Sequence, residues 1–370
     1  MNYFKNIKLS NYRNFTKFEL NFDEKCNVLF GKNGSGKTNI LESISLFERG
    51  RGFRKENINN LINFKNNKDK FNISSSFFYN NTDIILSIFN EKNNINSTKK
   101  IIINGSSSKE SKHYFENLFS IIYFLPEMER LFIGSPSLRR NFVDRLIFST
   151  DKNYSKIIND YKKNIYERFK ILKNYYNENE WLNNIEKKII DLGIIIYKRR
   201  SKYINDINRN LTELNINKKF NYNIKLNIQD SFFNELNNNN EIIIEKYMQA
   251  IQENREIDKL IGGCKLGPHK SDIQGFDFKR NININQFSTG QQKTAVLLII
   301  LAQCKMLIND KNVSPILLFD EVCSHLDDHN RELLLHIINN LNVQTFLTGT
   351  EKNFFSFLST KTLYCNINEI

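Results

Sequence analysis

The sequence has few cysteines, no long hydrophobic run and no signal-like start, and each absence excludes a class of protein. Its five cysteines form no C-x-x-C pair, which argues against a disulfide framework and a zinc site and favours a reducing compartment. The longest apolar run, Ala295 to Ala302, is far shorter than the roughly 20 residues needed to span a bilayer. The opening "MNYFKNIKLSNYRNF" lacks the apolar core of a signal peptide. These absences predict a soluble cytoplasmic protein with no membrane partner.

The charge of the chain is one-sided. Its 370 residues include 53 Lys and Arg against 40 Asp and Glu, a formal net charge of +13. The length predicts two lobes, and the positive excess favours a polyanionic partner, most often nucleic acid or an acidic membrane face. A composition rich in Asn, Lys and Ile gives such an excess without any function, so charge alone does not choose a partner.

Hydrophobic periodicity divides the chain into three segments. In the first segment, 1–106, residues 1–30 alternate apolar and polar residues, and "FNISSSFFY", "DIILSIF" and "KKIIIN" further along predict an antiparallel meander. We expect its turn "NEKNNINST" to be mobile. Residues 107–262 are predicted to be mostly helical, with two long amphipathic stretches that pack as a pair and a low-complexity loop, "ELNNNNE". Strand and helix patterns alternate again over residues 263–370. We therefore predict a domain for each of these three ranges.

The stretch "GKNGSGKT" lies between a predicted strand, "CNVLF", and a predicted helix, "NILESISLF". Its spacing matches the phosphate-binding P-loop, whose glycines permit a tight turn and whose N–H groups surround phosphate oxygens. Lys37 is expected to reach the β- and γ-phosphates of ATP, and Thr38 to ligate Mg²⁺. The predicted nucleotide-binding residues are Gly31, Lys32, Asn33, Gly34, Ser35, Gly36, Lys37 and Thr38.

A second part of the site is predicted far along the chain. The apolar run Ile316 to Phe319 reads as a buried strand that ends in Asp320 and Glu321. A carboxylate at the end of a strand beside a P-loop can hold Mg²⁺, and the next one can orient the attacking water. We predict that Asp320 holds Mg²⁺ and that Glu321 is the general base. Glu321 and Lys37 are the predicted catalytic residues. Solvated acids after a strand are a common alternative, which we disfavour here because both halves of the site are present.

A third stretch, "FSTGQQKTAVLLIILAQ", places a Ser and a Gly at the start of a long apolar helix. Its residues Ser288, Thr289, Gly290 and Gln291 can act as an ordinary helix cap. They can also bind an anion, and because the chain already has a P-loop, that anion would be a nucleotide held by a second copy of the protein.

In this order the motifs resemble those of the ABC-type ATPases, and more narrowly the RecF family of bacterial recombination mediators. "LSNYRNF", "GKNGSGKTNILESISLFERGRGFR", "FLPEMERLFIGSPSLRRNFVDRL" and "GPHKSD" resemble family segments, so the likeness covers nearly the whole chain. The segment of roughly 145–260 is weakly matched. The chain departs from the family at Glu321 where Asp is frequent, and at Lys293 and Lys270 where Arg is usual. Glu is the usual ABC catalytic residue, so we still expect hydrolysis.

The resemblance implies an α/β fold, a P-loop ABC-type ATPase head with an antiparallel β-subdomain and an inserted helical lobe. It implies an ATP-dependent clamp and weak DNA-stimulated ATPase without nuclease activity. Two protomers would trap ATP and Mg²⁺ between one P-loop and the other chain's signature, on single-stranded, double-stranded or gapped DNA. Implied partners are RecR, RecO and, functionally, RecA, in replication, repair, recombination and the SOS response. The D-loop would comprise Ser324, His325, Leu326 and Asp327.

Other polar clusters each have two readings. One basic cluster is a candidate for DNA contact or a solvated face, and it consists of Arg49, Arg51, Arg54 and Lys55. Arg139 and Arg140 favour salt bridges within the helical lobe, and Lys198 to Arg200 are expected to complete a helix dipole. His269 is expected to have a structural hydrogen-bonding role. Core positions are predicted for four aromatic residues, Trp181, Tyr161, Tyr166 and Phe169. A metal site at His325 and His329 is disfavoured.

Three other functions fit part of the pattern. A transporter ATPase subunit keeps its motifs closer together and has a His downstream, whereas "FLTGTEKNFF" contains none. A chromosome-organising SMC protein needs long coiled-coil arms, and the helical stretch here allows only a short one. A module that binds ATP without hydrolysing it stays open, although Glu321 argues against it.

Overall fold

The computed structural model describes residues 2–63, 65, 70–92, 97–174, 179–214, 222–230, 232, 240–311, 313–359 and 361–368. The centre of the turn predicted to be mobile and most of the loop "ELNNNNE" lie outside these residues. The strands are β1 Tyr3–Phe4, β2 Asn6–Tyr12, β3 Phe15–Asn21, β4 Cys26–Phe30, β5 Asn72–Tyr79, β6 Thr82–Lys92, β7 Ser97–Ile103, β8 Phe119–Phe124, β9 Ile224–Gln229, β10 Asp272–Asp277, β11 Ile282–Asn283, β12 Ser314–Phe319, β13 Thr345–Gly349 and β14 Leu363–Asn366. The helices are α1 Lys37–Ser45, α2 Lys109–Glu116, α3 Pro136–Thr150, α4 Tyr154–Asn174, α5 Asn179–Leu214, α6 Asn240–Glu253, α7 Arg255–Ile261, α8 Thr289–Lys311 and α9 Asp328–Asn340.

The chain forms two compact units. The first unit comprises residues 1–129 and 289–370, and the second comprises residues 130–288. These boundaries differ from the three ranges predicted from periodicity. The differences arise from strand pairing. Strand β8 pairs with β12 in the first unit, and β10 pairs with both β9 and β11 in the second. Sheet pairing joins segments that are distant in sequence, and periodicity does not record it.

A parallel sheet lies at the centre of the first unit, with the strand order β14-β4-β13-β12-β8 among the described residues. Strand β8 falls within a range that the sequence predicted to be mostly helical, and that prediction is wrong for Phe119–Phe124. All six of its residues are buried. A strand that is covered on both faces has no apolar–polar alternation, so its sequence reads as a plain apolar run.

The first unit also contains the predicted antiparallel β-subdomain. Its strand order is β3-β2-β5-β6-β7, and β1 pairs with β5. The three meander strands lie where the alternation predicted them. Phe4 joins this sheet to the rest of the unit, because its ring centre lies 5.4 Å from that of Phe47 and 5.5 Å from that of Phe119. Within the sheet, it lies 4.9 Å from the ring centre of Phe77 on β5. Such aromatic clusters bury large apolar areas and contribute strongly to a core.

Helix α8 passes a length and composition test for a membrane span over Thr289–Asn309, but 83% of its most apolar window is buried inside the protein. It packs beside β8 and β12. The apolar character of this helix is therefore accounted for by its place in the core.

The second unit is built on the predicted helical pair. Arg168 bonds Glu186, and Tyr154 contacts Arg200, so α4 and α5 run antiparallel. A small sheet of order β11-β10-β9 packs against α5 and α3. Helix α5 continues to Leu214, so Arg200 lies inside it and the predicted helix-dipole role is wrong. Arg200 is instead buried and ion-paired with Asp144 at 2.8 Å.

Candidate functional site

The P-loop connects the end of β4 to the start of α1, as the sequence predicted. Gly36 has φ of +104°, and a Cβ atom there would lie 2.6 Å from the ring of Phe15, so only glycine fits. The Lys37 ammonium donates to the carbonyl oxygens of Gly31 at 2.7 Å and Lys32 at 2.9 Å. Burial lowers the pKa of Lys37, while the carboxylates of Glu321 and Asp320 raise it. The loop thus holds a cation close to its own backbone.

Asp320 lies against the P-loop helix even though it is distant in sequence. It follows β12, and the Thr38 hydroxyl donates to its carboxylate oxygens at 3.0 and 2.9 Å. Thr348, at the end of β13, donates to Oδ1 of Asp320 at 2.7 Å and accepts a bond from the Glu321 N–H at 2.8 Å. Sequence reasoning missed Thr348. The usable signal was its position at the end of an apolar strand, where parallel strands bring their carboxyl ends together.

A cavity of about 200 Å³ lies over these groups. It is lined by Asn33, Gly34, Gly36, Lys37, Thr38, Asn39, Arg54 and Glu321. The buried Ser35 hydroxyl oxygen has no hydrogen-bond partner among the described residues. An orphaned hydroxyl, a loop of backbone N–H groups and a lysine suit a phosphate chain, and the paired oxygens of Thr38 and Asp320 suit Mg²⁺. The residues present therefore fit ATP and its metal.

Glu42, on helix α1, anchors residues that the sequence reading treated separately. Its fully buried carboxylate accepts bonds from Tyr12 at 3.0 Å and from Arg13 at 2.8 and 2.7 Å. Arg54 lies 3.6 Å from the same carboxylate and donates to Asn39 at 2.9 Å. All four residues of the basic cluster are exposed, but Arg54 also lines the cavity, whereas Arg49, Arg51 and Lys55 do not.

The signature residues begin helix α8, with Ser288 just before it. A Cβ atom on Gly290 would lie 2.9 Å from the carbonyl oxygen of His325, so the helix start and the D-loop touch closely. The cavity lining includes no residue from Thr289 to Gln291 among the described residues. The nucleotide cavity of one chain is thus formed without the signature residues of the same chain.

Lys293, one turn into α8, ties that helix to the D-loop and to the residue after Asp320. Its side chain is completely buried, and its ammonium lies 2.7 Å from a Glu129 carboxylate oxygen. It donates to the carbonyls of Glu321 at 2.9 Å and Ser324 at 2.7 Å, and to the Ser324 hydroxyl at 2.9 Å. Sequence reasoning noted Lys293 only as a departure from Arg and missed this role.

The D-loop ends in a helix cap. Asp327 accepts a bond from the Asn330 N–H at 2.7 Å, and α9 begins at the next residue. His325 is therefore outside the helix and shares no helical face with His329, which argues further against the disfavoured metal site. Within the described ranges, no group of three or more His, Cys, Asp or Glu side chains is placed to hold a metal ion.

Several predictions for the second unit can be compared with its contacts. Arg139 forms the predicted salt bridge within the lobe, at 2.8 and 2.9 Å from the two Asp272 oxygens. His269 has the predicted hydrogen-bonding role, with Tyr161 at 2.8 Å and the Cys264 carbonyl at 2.7 Å. The core prediction is correct for Tyr161. It is wrong for two aromatics that are largely exposed, Tyr166 and Trp181.

The sequence was compared with known protein families and proteins, and it matches one family over nearly its whole length. The model of the RecF/RecN/SMC N terminal domain matches residues 3–364. The DNA replication and repair protein RecF of Rickettsia typhi is 33% identical over 344 residues, covering 93% of each chain. The RecF of Rickettsia massiliae is 32% identical over 355 residues, covering 96% of each chain.

Solved structures agree with the sequence relatives. The structure of the recombination mediator protein RecF with ATPrS superposes with a TM-score of 0.80 at 27% identity, covering 97% of this chain and 94% of that one. The same mediator with ATP gives a TM-score of 0.79. An Smc head bound to a domain of ScpA gives 0.56 at 15% identity, which shows a shared fold alone.

Proposed function

The chain belongs to the RecF family, and on that premise we propose that it is an ATP-dependent DNA-binding protein that acts in replication and repair. The observation that carries this proposal is the meeting of Lys37, Thr38 and Glu321 around one cavity, with Asp320 bonded to Thr38, in a fold shared with RecF bound to ATP. Curated relatives at 33% identity are replication and repair proteins.

We assign the chemistry of ATP hydrolysis to this cavity. The P-loop N–H groups and Lys37 would bind the phosphates, and Thr38 and Asp320 would hold Mg²⁺, which when bound would supply positive charge beside the phosphate oxygens. Glu321 orients the attacking water and accepts its proton. Its backbone N–H is held by Thr348 at 2.8 Å, and its φ of 49° is uncommon for a residue with a side chain.

ATP is proposed to be shared between two protomers. The Thr289 to Gln291 segment does not line the cavity of its own chain, and the start of a long helix suits an anion. Each signature would close over the ATP of the other chain, so ATP would drive dimerisation and hydrolysis would reverse it.

The proposed substrate of the clamp is DNA, whether single-stranded, double-stranded or gapped. The charge of +13 supports a polyanion, and Arg49, Arg51 and Lys55 are exposed and available for phosphate contacts. From family membership we further propose that it works with RecR and RecO to help load RecA. Arg54 is the exception in this cluster, because it points into the nucleotide cavity.

The first test is DNA binding at fixed salt with ATP, with ADP and without nucleotide. Duplex, single-stranded and gapped DNA of equal length would be offered to the parent, to Lys37→Ala, and to Lys17→Ala as an exposed-lysine control. We expect ATP-dependent binding that Lys37→Ala loses and Lys17→Ala keeps, because only Lys37 reaches the phosphates. Binding that is independent of nucleotide, or absent, would contradict the clamp.

A further inference from the structure

The sheet of β9, β10 and β11 in the second unit has two unlike faces. One face packs against α5 and α3 and carries buried side chains such as Ile224, Leu226 and Ile273. The other face and the turn after β10 are polar, basic and aromatic. We call these residues the hairpin face: Lys225, Asn227, Gln274, Phe276, Phe278, Lys279 and Arg280.

Phe278 is the unusual member of the hairpin face. It begins the turn between β10 and β11, and 61% of its surface is exposed. The Lys225 ammonium lies 3.9 Å from the centre of its ring, and the Phe276 ring centre lies 6.5 Å away. A single exposed ring is ordinary on a protein surface, so the distinguishing feature here is the combination of that ring with a second aromatic and a cation at its face.

The electrostatics of the hairpin face are one-sided. Lys225, Lys279 and Arg280 contribute three cations. The adjacent carboxylate, Asp277, is completely buried and accepts bonds from the N–H groups of Asn223 and Lys279. Asp272, on the same face at the far end of β10, is held by both branches of the Arg139 guanidinium. Asp277 also lies 3.7 Å from the Arg280 guanidinium and offsets that cation, so Lys225 and Lys279 supply the positive surplus around Phe278.

We propose that the hairpin face binds single-stranded DNA, with a base stacked on Phe278 and phosphates on Lys225, Lys279 and Arg280. An exposed ring with neighbouring cations matches both halves of a nucleotide, since every base has a flat face and every linkage carries a charge. Duplex DNA hides its base faces, so the unpaired strand is the better occupant. This inference rests on the proposed function, to which it adds a contact site.

The stacking half is tested with Phe278→Ser and a fluorescently labelled oligothymidine, with Phe357→Ser as a control at another exposed phenylalanine. Because base stacking on an aromatic ring is lost, we expect affinity to fall about 10-fold in Phe278→Ser and to stay unchanged in the control. Phe278→Trp should retain binding. Since Trp181 is the only tryptophan, Phe278→Trp in a Trp181→Phe background should also show quenched fluorescence on binding.

The charge half is tested by salt dependence. Binding of each variant should depend less steeply on salt than binding of the parent. The negative slope of log affinity against log salt should become shallower by about 0.7, the value for one phosphate contact with a single strand, in Lys225→Gln, Lys279→Gln and Arg280→Gln. Unchanged affinity in Phe278→Ser together with unchanged slopes would overturn the inference, and so would a parent that binds no single-stranded DNA. In either case, ATP-driven dimerisation and duplex binding are measured on the same variants. If both are retained, the proposed function stands although the hairpin face is not its contact site.

Discussion

Replacing Lys293 by methionine tests whether one buried cation couples helix α8 to the hydrolytic residues. The ammonium has four oxygen partners, on Glu129, Glu321 and Ser324, at 2.7 to 2.9 Å. It also lies 5.5 Å from the centre of the Phe124 ring. Methionine fills a similar volume but donates no hydrogen bond, so the substitution removes the charge and leaves the packing largely intact.

The cost of this substitution follows from the partners left behind. Breaking a buried ion pair from one side costs about 3–5 kcal/mol, because an uncompensated charge stays buried. The Glu129 side chain is 16% exposed and keeps some contact with water, so we expect the lower end, about 3 kcal/mol. Domains are stable by roughly 5–15 kcal/mol, so the variant should still fold.

Activity should fall in the same variant because Lys293 holds the backbone of Glu321. A released carbonyl lets the neighbouring carboxylate shift, and a displacement of about 1 Å can cost on the order of 100-fold in rate. We expect kcat for ATP hydrolysis to fall by at least about 10-fold. KM for ATP should change little, since Lys37 and Thr38 are untouched.

The measurements are urea unfolding and steady-state ATPase kinetics of the parent, Lys293→Met and Lys293→Arg. The double variant Lys293→Met/Glu129→Gln is the matched control, since it removes the orphaned carboxylate and should recover about 1–2 kcal/mol of the loss. Lys293→Arg keeps the charge and should keep most of the stability. A Lys293→Met protein as stable and as active as the parent would refute the reasoning, as would a double variant less stable than the single one.

Three other predictions follow from the same structure. Glu321→Gln should bind ATP normally but lose nearly all hydrolysis, because an amide cannot accept the proton of the attacking water; parental turnover in an ATPase assay would remove Glu321 from the base role. Ser288→Arg should bind ATP yet stay monomeric by light scattering, since the side chain would obstruct the shared nucleotide; normal ATP-driven dimerisation would argue against the shared site. Burial lowers the pKa of His269 to about 4, below its value near 6.5 in the unfolded chain. The stability that neutral His269 contributes is therefore complete above pH 6.5 and falls by about 3 kcal/mol by pH 4. Urea unfolding at pH 7 and pH 4 should show a smaller loss in His269→Gln, and an equal loss would contradict the assignment.

The sequence by itself determined those features whose geometry depends on contiguous residues. A P-loop is a local structure, set by glycines at fixed spacing between a strand and a helix, so "GKNGSGKT" could be located without any tertiary information. The strand that ends in Asp320 was equally local, because four consecutive apolar residues precede two acids. That the two segments would meet also followed from a general rule, since parallel strands present their carboxyl ends at one edge of a sheet.

Only the tertiary structure decided which distant groups complete the site. Thr348 bonds Asp320, Arg54 reaches Glu42 beside the cavity, and the Glu129 carboxylate neutralises Lys293, yet none of these pairs has a spacing that a local pattern records. The strand β8 was hidden for a related reason, because a strand covered on both faces loses the alternation that identifies it. The local sequence indicates which helix, strand or turn satisfies the backbone hydrogen bonds of a segment. Long-range packing decides which side chains share a low-dielectric space, and in such a space an unpaired charge is costly enough to require a specific partner.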